Sequence, residues 1–384
     1  MKTFPFGSGR PDPGSFPNRG LAGAAMRILP ELGDELAKYP GSLGFEPLRR
    51  LMSERFERRE GAPLPVGQVA LTTGSMQAVT LMAQAFVEAP GDVIVMEEYS
   101  YSGTIDAYRK ERAELVGIPL DEGGMRMDAL EDAVADLTAR GKRPKFIYTL
   151  ATYQNPTGSI MPLERREELL AIAGRFEIPV VEDHCYADTV YEACHVPALY
   201  TLEHRTPVIH IESLSKILGP GVRMGYFAAP QPLLDQILQY RRDGGTSALS
   251  AAVVYEFFRE EMWSHLEAIN AIVKQKRDLM FEMLAQFPDA FEWFSRPKGG
   301  LFIWVKLPDG TDTAACERLA ESRGIDYATG KAFHVYSRDV PYIRLAFGFA
   351  SLDRIREGIA LLAGCVRETR KGSLKRLYGE ENSV

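Results

Sequence analysis

Residues 67–98 read GQVALTTGSMQAVTLMAQAFVEAPGDVIVMEE, and this stretch decides the fold. A short apolar run at 69–71 ends in the small residues of TTGS, and the segment 76–87 then carries apolar side chains at helical spacing. A second apolar run follows at 93–96. An apolar strand, a helix and another apolar strand in succession predict a parallel β-α-β unit whose strands are buried on both faces.

The same alternation of strand and helix continues as far as Ser213. Apolar runs predict further strands at 113–120, 145–150, 178–184 and 206–213, and helical spacing predicts helices at 101–112, 128–141 and 163–176. This order indicates an α/β fold with a large, doubly wound, mainly parallel sheet. Because ligands of such sheets collect at the carboxyl ends of the strands, we look for chemistry in the residues that follow each strand.

After Tyr226 the units become fewer and shorter. A long helical region at 251–287 leads into segments that predict a smaller α+β domain. We therefore predict an N-terminal arm that belongs to the small domain at 1–38, a large cofactor-binding domain at 39–285, a small C-terminal domain at 286–369 and a disordered tail at 370–384. The arm, rich in glycine and proline, is expected to cross the surface.

The composition is that of an ordinary globular protein of 384 residues, with 45% hydrophobic and 25% charged residues. No apolar run approaches the length of a membrane span, so no membrane partner is expected. The net charge of -7 argues against a surface that binds nucleic acid. Four cysteines make no disulfide framework, and the N-terminus lacks the apolar region of a signal peptide; we expect a cytoplasmic protein.

Polar residues follow three of the predicted strands. At Ser75 and Met76, free N–H groups at a helix start favour a phosphate, although a Gly-Ser turn is commonly a helix cap and nothing more. Asp183 ends a wholly apolar strand, where its charge is costly to bury unless it meets a cation or a donor; otherwise it caps the next turn. Asn155 lies in NPTG, which also fits an ordinary turn.

The stretch 213–226, SLSKILGPGVRMGY, surrounds Lys216 with phosphate-binding residue types. A lysine that forms a Schiff base must be a free amine for part of its cycle, which a site that disfavours its charge promotes. Ser213, Ser215 and Arg223 supply two hydroxyls and a guanidinium fork, the donors that a phosphate requires. The motif therefore predicts an aldehyde cofactor with a phosphate, which is pyridoxal 5′-phosphate.

This motif resembles the S-x-S-K-x-x-x-P-G-x-R-x-G signature of fold type I pyridoxal-phosphate aminotransferases of class I and II. The likeness is greatest to the branch of 2-aminoadipate and kynurenine aminotransferases, and it also extends to regulators that fuse such a domain to a winged helix. It covers about residues 4–362, in family order, through YPGSLGFEPLRRLM, LTTGSMQAV, EEYSYSGTI, TYQNPTG, VVEDHCYAD, RPKGGLFIW and YIRLAFG.

The resemblance implies roles around the cofactor ring. Lys216 would form the Schiff base and then carry the proton, and Asp183 would pair with the protonated pyridine nitrogen, which resolves its costly position. Tyr186 and Asn155 would hydrogen-bond the phenolic oxygen of the cofactor, and Tyr101 would stack on the ring.

The resemblance also implies the partners of the phosphate and of the substrate. The phosphate would be held by Ser75, the Met76 backbone, Ser213, Ser215 and Arg223, and by Tyr39 of the neighbouring subunit in a homodimer with shared active sites. Arg344 would bind the α-carboxylate of the substrate as a bidentate pair, with Asn155 and the Gly9 backbone assisting.

Three departures from the family pattern bear on these roles. Met76 stands where glutamine is usual, and Tyr99 stands where proline is common before the stacking aromatic. Close relatives carry a helix before the FGSGRPDPGSFP segment that helps to select the substrate side chain, and we expect this chain to select it otherwise. Arg10 is the candidate for that contact, and a solvated arm residue is the alternative.

The sequence leaves three functions open. The leading hypothesis is transamination between an L-amino acid and a 2-oxo acid, with 2-oxoglutarate expected as the acceptor, in a biosynthetic step of amino-acid metabolism. The second is a lyase, decarboxylase or oxygen-using hydroxylase with the same cofactor. The third, the sensor domain of a transcription regulator, is disfavoured because only three residues precede Phe4.

A metal site is not expected from His184-Cys185 and Cys194-His195, because adjacent strand residues point to opposite faces and the four groups would converge poorly. The aromatic run FEWFSRPKGGLFIW, 291–304, is interpreted as core of the small domain.

Overall fold

The computed structural model describes residues 2–203 and 205–370. Its helices are α1 (Asn18–Ile28), α2 (Glu46–Glu60), α3 (Ser75–Phe86), α4 (Ser102–Lys110), α5 (Met127–Ala139), α6 (Leu163–Arg175), α7 (Gln231–Leu238), α8 (Ala248–Ala285), α9 (Thr313–Ser322) and α10 (Leu352–Thr369). Its strands are β1 (Phe4–Pro5), β2 (Val69–Thr72), β3 (Val93–Glu97), β4 (Glu114–Ile118), β5 (Leu120–Asp121), β6 (Gly124–Met125), β7 (Phe146–Thr149), β8 (Val180–Asp183), β9 (Val208–Ser213), β10 (Gly225–Ala228), β11 (Trp293–Phe294), β12 (Phe302–Lys306), β13 (Ile325–Asp326), β14 (Ala328–Thr329) and β15 (Tyr342–Ala346). Of the tail predicted at 370–384, the residues after Arg370 lie outside the described residues.

Seven strands form the central sheet in the order β2-β10-β9-β8-β7-β3-β4. Every neighbouring pair is parallel except those made by β10, which runs antiparallel to both β2 and β9. Alternate side chains of β3 enter different cores: Ile94 and Met96 pack with α3, whereas Val93 and Val95 pack with α5. Burial on both faces explains the continuous apolar runs, and the predicted doubly wound sheet is confirmed.

A smaller antiparallel sheet has the order β11-β12-β15-β14 and packs with α9 and α10. The long helix α8 serves both parts of the chain, because Phe257 packs in the core around α2 and Met280 packs in the core of the smaller sheet. Its start is capped by Ser247, whose hydroxyl accepts a hydrogen bond from the Ser250 N–H at 3.2 Å. The α+β character of this region is as predicted; the domain boundaries at 38, 285 and 369 stay predictions.

The N-terminal segment differs from the surface arm that we predicted. Phe4 and Phe6 are buried, and β1 pairs in parallel with β13. The segment after the glycine-rich stretch forms α1, which packs on α8. The two helices can approach each other closely because Gly20 has no side chain. A Cβ atom on Gly20 would lie 2.6 Å from the Phe257 ring, so only glycine permits this approach.

A buried network of charges fixes α2 to the end of β9. The Arg55 guanidinium donates to Glu212 at 2.8 Å, and Arg59 lies 3.2 Å from the Asp188 carboxylate. Burial alone would raise the pKa of Glu212, but the two guanidinium groups hold it well below its usual value. Because Glu212 directly precedes Ser213, this network fixes the loop that carries Lys216.

No helix among the described residues has the length and apolar character needed to cross a lipid bilayer.

Candidate active site

One cavity of about 560 Å³ lies at the carboxyl ends of the central strands. Its walls come from the N-terminal segment, from the turns after β2, β3, β8 and β9, and from the smaller sheet. Of the predicted site residues, all but Tyr39 line it: Gly9, Arg10, Ser75, Met76, Tyr101, Asn155, Asp183, Tyr186, Ser213, Ser215, Lys216, Arg223 and Arg344. The fold therefore assembles residues that are far apart in the chain.

Lys216 is at the end of a short 3-10 helix, Leu214–Lys216, that directly follows β9. Its Nζ donates a hydrogen bond to the carbonyl oxygen of Gly9 at 2.9 Å. Burial lowers the pKa of Lys216 to about 8, and the nearby Arg344 acts in the same direction. A lysine with this pKa is neutral for about a tenth of the time at pH 7, far more often than an exposed lysine, and the neutral form is the nucleophile.

The turn between β2 and α3 offers donors for an anion. Gly74 has φ +75°, a conformation that favours glycine, and a Cβ atom there would lie 3.0 Å from the Arg223 guanidinium. Arg223 itself is left-handed at φ +55° and donates to the Thr73 carbonyl at 2.7 Å. The Ser75 N–H at the start of α3 and this guanidinium together suit a phosphate.

The two serines of the Lys216 motif lie on the same wall. Ser213 and Ser215 are both buried, and the Ser213 hydroxyl accepts a hydrogen bond from the Ser215 N–H at 3.2 Å. Their hydroxyls add two further donors beside Arg223, so the anion-binding end of the cavity is polar on several sides.

Asp183 is the last residue of β8 and is almost fully buried. The Tyr148 hydroxyl donates to its Oδ2 at 2.7 Å, and the Cys185 N–H donates to its Oδ1 at 3.2 Å. Burial raises the pKa of Asp183, and these donors oppose that shift. The carboxylate thus meets the donors that its buried position requires.

Arg344, on β15, lines the same cavity as Asp183. Its guanidinium donates to Asn155 Oδ1 at 2.9 Å and to the Gly7 carbonyl, and it stacks on the Phe302 ring at 4.1 Å. The Asn155 amide in turn donates to the Tyr186 hydroxyl at 3.4 Å. Burial lowers the pKa of Arg344 to about 10, and its Nε has no partner among the described residues. A buried N–H without an acceptor is a place for a substrate carboxylate.

This set of donors fits pyridoxal phosphate on the structure's own terms. The phosphate end has serine hydroxyls, a helix start and Arg223; a buried carboxylate, Asp183, faces the same cavity; and a lysine with a lowered pKa lies near both.

The other predicted residues have varied positions. Tyr101 is the residue directly before α4 and is 37% exposed, and Met76 lines the cavity with its side chain packed on the core. Gly9 is close to Phe302, whose ring a Cβ atom would approach to 2.5 Å. Arg10 lies 3.9 Å over the Phe349 ring. Tyr39 lies outside the cavity and is 89% exposed.

Sequence reasoning missed several residues of this site. Tyr148 touches Asp183, Phe302 lies under Arg344, and Asp326 lies at the wall beside Gly7, where a Cβ atom would be 2.3 Å from its carboxylate. Tyr148 pairs with Val181 across two parallel strands, so it shares a sheet face with Asp183 two residues further on, but the sequence alone does not reveal this register. For Asp326 no motif pointed to the cavity.

His184 belongs to a different cluster from the one considered in the sequence. It lies with His210 and Glu212, whose ligand atoms are within 4.8 Å of one another. The Arg59 guanidinium donates to Glu212 and is 3.4 Å from His184 Nδ1. The positive charge of Arg59 inside the cluster makes it part of the buried charge network, and a poor cation site.

Comparisons with known proteins agree with this geometry. The family model of aminotransferase class I and II matches residues 6–358. Aromatic-amino-acid aminotransferase 1 from Thermococcus litoralis is 33% identical to this chain over 94% of the chain and 88% of its own length. These matches cover both the central sheet and the smaller sheet.

Two solved structures are similar over nearly the whole chain. The multiple substrate aminotransferase from Thermococcus profundus has a TM-score of 0.89 at 32% identity, covering 97% of this chain and 92% of its own. LysN, an α-aminoadipate aminotransferase from Thermus thermophilus solved with N-(5′-phosphopyridoxyl)-L-leucine, has a TM-score of 0.87 at 31% identity, covering 97% and 93%. The chain therefore belongs to the aminotransferase class I and II family, and it is a pyridoxal-phosphate-dependent transaminating enzyme of fold type I.

Proposed function

We propose that this aminotransferase transfers the α-amino group of an L-amino acid to a 2-oxo acid, with 2-oxoglutarate as the acceptor, in a ping-pong cycle that depends on Lys216. The observation that carries the proposal is the convergence of Lys216, Asp183 and Arg344 on one cavity. A reactive amine, a buried carboxylate and a carboxylate-binding guanidinium are the groups that such a reaction needs.

The cofactor is held, in this proposal, at its two ends. Ser75, the Met76 N–H, Ser213, Ser215 and Arg223 bind its phosphate, and Asp183 binds its ring nitrogen, with Asn155 and Tyr186 at the phenolic oxygen and Tyr101 against the ring. When bound, pyridoxal phosphate supplies an aldehyde and an electron-withdrawing ring. The hydrogen bonds that Asp183 accepts favour its ionised form against the effect of burial, and the ionised carboxylate would keep that nitrogen protonated.

Lys216 is proposed to move the proton of the reaction. With its pKa lowered by burial, Nζ is neutral often enough to accept the proton from the substrate Cα and to return it. Its present partner, the Gly9 carbonyl, accepts a hydrogen bond without offering a charge, so the amine is not held in the protonated state by an ion pair.

Arg344 is proposed to orient the amino acid by its α-carboxylate. The guanidinium is buried between the Phe302 and Phe333 rings, at 4.1 and 4.5 Å, so its position is fixed before substrate arrives. Asn155 Oδ1 already accepts a hydrogen bond from Nη1 of Arg344. A bound carboxylate would replace the Gly7 carbonyl as the acceptor at Nη2 and would also accept from the Nε–H, which has no partner among the described residues. Both amino-acid and 2-oxo-acid substrates carry this carboxylate.

The working unit is proposed to be a homodimer in which Tyr39 reaches the phosphate site of the second copy. Its support is exposure: Tyr39 at 89%, Met26 at 81% and Leu36 at 49% are large apolar side chains open to solvent on the N-terminal segment. That the protein works in the cytoplasm stays a prediction from its sequence.

Transamination is tested with a panel of L-amino acids and 2-oxoglutarate, by measuring the oxo acid and glutamate formed. We expect stoichiometric amounts of both with the wild type, and a loss of roughly 10³-fold or more in rate for Lys216→Ala, because general base catalysis disappears. Lys274→Ala, on the exposed side of α8, is the control and should keep wild-type activity. Release of carbon dioxide or uptake of oxygen in place of glutamate would contradict the proposed reaction.

The pH dependence of Lys216 gives a second prediction. In cofactor-free protein treated with trinitrobenzenesulfonate, labelling of Lys216 should be half-maximal near pH 8, because only the neutral amine reacts and its neutral fraction rises through that pH. Lys38 in the same peptide map is the control, because its carboxylate neighbours Asp34 and Glu35 raise its pKa, so its labelling should need a higher pH. A Lys216 that titrates together with Lys38 would show that the site does not lower its pKa.

Arg10 supplies a prediction about the substrate side chain. If its guanidinium contacts that side chain, Arg10→Ala should lower kcat/KM for donors with a side-chain carboxylate by about ten-fold relative to aliphatic donors, the worth of one hydrogen bond to a charged group. Arg318→Ala on α9 is the matched arginine control. An unchanged ranking of donors would leave Arg10 as a solvated residue.

The dimer is tested by light scattering on the purified enzyme. We expect twice the 42.8 kDa mass of one chain, and weaker cofactor binding in Tyr39→Phe at unchanged mass, because the variant loses only the hydroxyl that reaches the phosphate. A monomeric active enzyme would contradict the shared site.

A further inference from the structure

Tyr148 is a buried tyrosine that the proposed function leaves without a role. It lies in β7, is fully buried, and donates its hydroxyl proton to Asp183 Oδ2 at 2.7 Å. The Thr104 hydroxyl lies 3.3 Å from the same phenol oxygen. Since a phenol has one proton and Tyr148 gives it to Asp183, Thr104 is the donor in that second contact. The result is a directed chain of hydrogen bonds that ends on the carboxylate.

Asp183 depends on such donors because of its surroundings. It is only 5% exposed and forms no ion pair with any cation in residues 2–203 and 205–370. Besides Tyr148, Cys185 stabilises its charged form, through its backbone N–H at 3.2 Å and through its thiol. A buried carboxylate without a cation takes up a proton unless hydrogen bonds stabilise its charged form.

We propose that Tyr148 is the positioning residue that keeps Asp183 ionised and aimed at the ring nitrogen of the cofactor. The inference rests on the proposed function, in which Asp183 pairs with that nitrogen. The short bond from Tyr148 occupies one oxygen and the Cys185 N–H occupies the other, so the carboxylate cannot rotate away without breaking both.

The packing around Tyr148 holds its ring beside Asp183. Its ring meets the Tyr108 ring edge to face, with centroids 5.6 Å apart and planes at 84°. The register that pairs Tyr148 with Val181 places it on the sheet face that Asp183 also occupies. The hydroxyl is therefore directed at the carboxylate by the sheet and by the ring contact together.

Several other titratable groups surround Asp183, and the test must separate them. They are Glu97 on β3, Tyr108 on α4, His184, Cys185 and Tyr186 after β8, and Lys216 after β9. Glu97 must be separated because burial raises its pKa to about 7, and its charge interacts with that of Asp183.

Tyr108 provides a matched control. Like Tyr148 it is fully buried in the same aromatic cluster, but its hydroxyl has no partner among the described residues. Tyr148→Phe and Tyr108→Phe remove the same atom from the same core, and only the first removes a hydrogen bond to Asp183.

The experiment measures the dissociation constant of pyridoxal 5′-phosphate by titration of cofactor-free protein, as a function of pH, for the wild type and both variants. Loss of a donor raises the pKa of Asp183. As the pH falls, Asp183 therefore takes up its proton at a higher pH than in the wild type. We expect Tyr148→Phe to bind the cofactor roughly ten-fold more weakly, with the acid limb of binding displaced to higher pH, and Tyr108→Phe to match the wild type. Equal effects of the two variants would overturn the proposal.

A second probe separates charge from packing. The 1-deaza analogue of the cofactor carries a C–H group in place of the ring nitrogen, so its binding should be the same in the wild type and in Tyr148→Phe. If Tyr148→Phe weakens binding of the analogue as much as binding of the cofactor, Tyr148 acts through packing, which also overturns the proposal.

Asp183→Asn closes the test. In that background Tyr148→Phe should have no further effect on the acid limb, because the two residues act as one unit. A shift that persists there would assign the limb to another group, such as Glu97, and overturn the role of Tyr148. If Asp183→Asn alone leaves cofactor binding unchanged, the role of Asp183 in the proposed function fails, which is a different result from equal behaviour of the two tyrosine variants.

Discussion

The buried carboxylate of Asp183 is the constraint on which the rest of this site depends. A parallel sheet ends its strands at one edge, and β8 places an acidic side chain there, under cover from solvent. Such a charge is tolerated only with donors around it, and the fold supplies them from the neighbouring strand and from the turn that follows. Lys216 and the serines of its loop lie at the same edge. The buried carboxylate, the lysine and the serine hydroxyls together therefore form a site for a charged, planar ligand.

The second constraint is the N-terminal segment that covers the cavity. Its carbonyl groups at Gly7 and Gly9 accept hydrogen bonds from Arg344 and Lys216, the two cations that the proposed reaction uses. A substrate carboxylate at Arg344 must therefore compete with a neutral carbonyl, which is a weaker partner than a charged one. The segment accepts hydrogen bonds from both cations but adds no negative charge beside them. Because the substrate would replace one of these hydrogen bonds, its binding is linked to the position of the segment.

Much of the fold and of the site could be predicted from the sequence, because both depend on local patterns. Continuous apolar runs such as 93–96 reveal buried strands, and the residues after them, Asp183 and Lys216 among them, fall in the cavity for the simple reason that parallel strands end together. The family signature around Lys216 then added the cofactor, which the family match and the solved relatives confirm.

What could not be predicted depends on contacts between distant segments. The course of α1 was missed because its packing relies on Gly20 meeting Phe257, a contact that no local pattern announces. Asp326 enters the cavity through the pairing of β1 with β13, and Tyr148 reaches Asp183 through the register of two strands. Strand register and the contacts between loops depend on packing throughout the core, so they cannot be deduced from local sequence patterns.

The most direct test of this account is to find which lysine holds the cofactor. Purified enzyme loaded with pyridoxal 5′-phosphate is reduced with borohydride, with and without an excess of donor amino acid, and its peptides are mapped by mass spectrometry. The account predicts a phosphopyridoxyl group on the peptide that contains Lys216, and its loss from the protein when donor is present. Label on a different lysine, or label at Lys216 that a donor amino acid never removes, would contradict it.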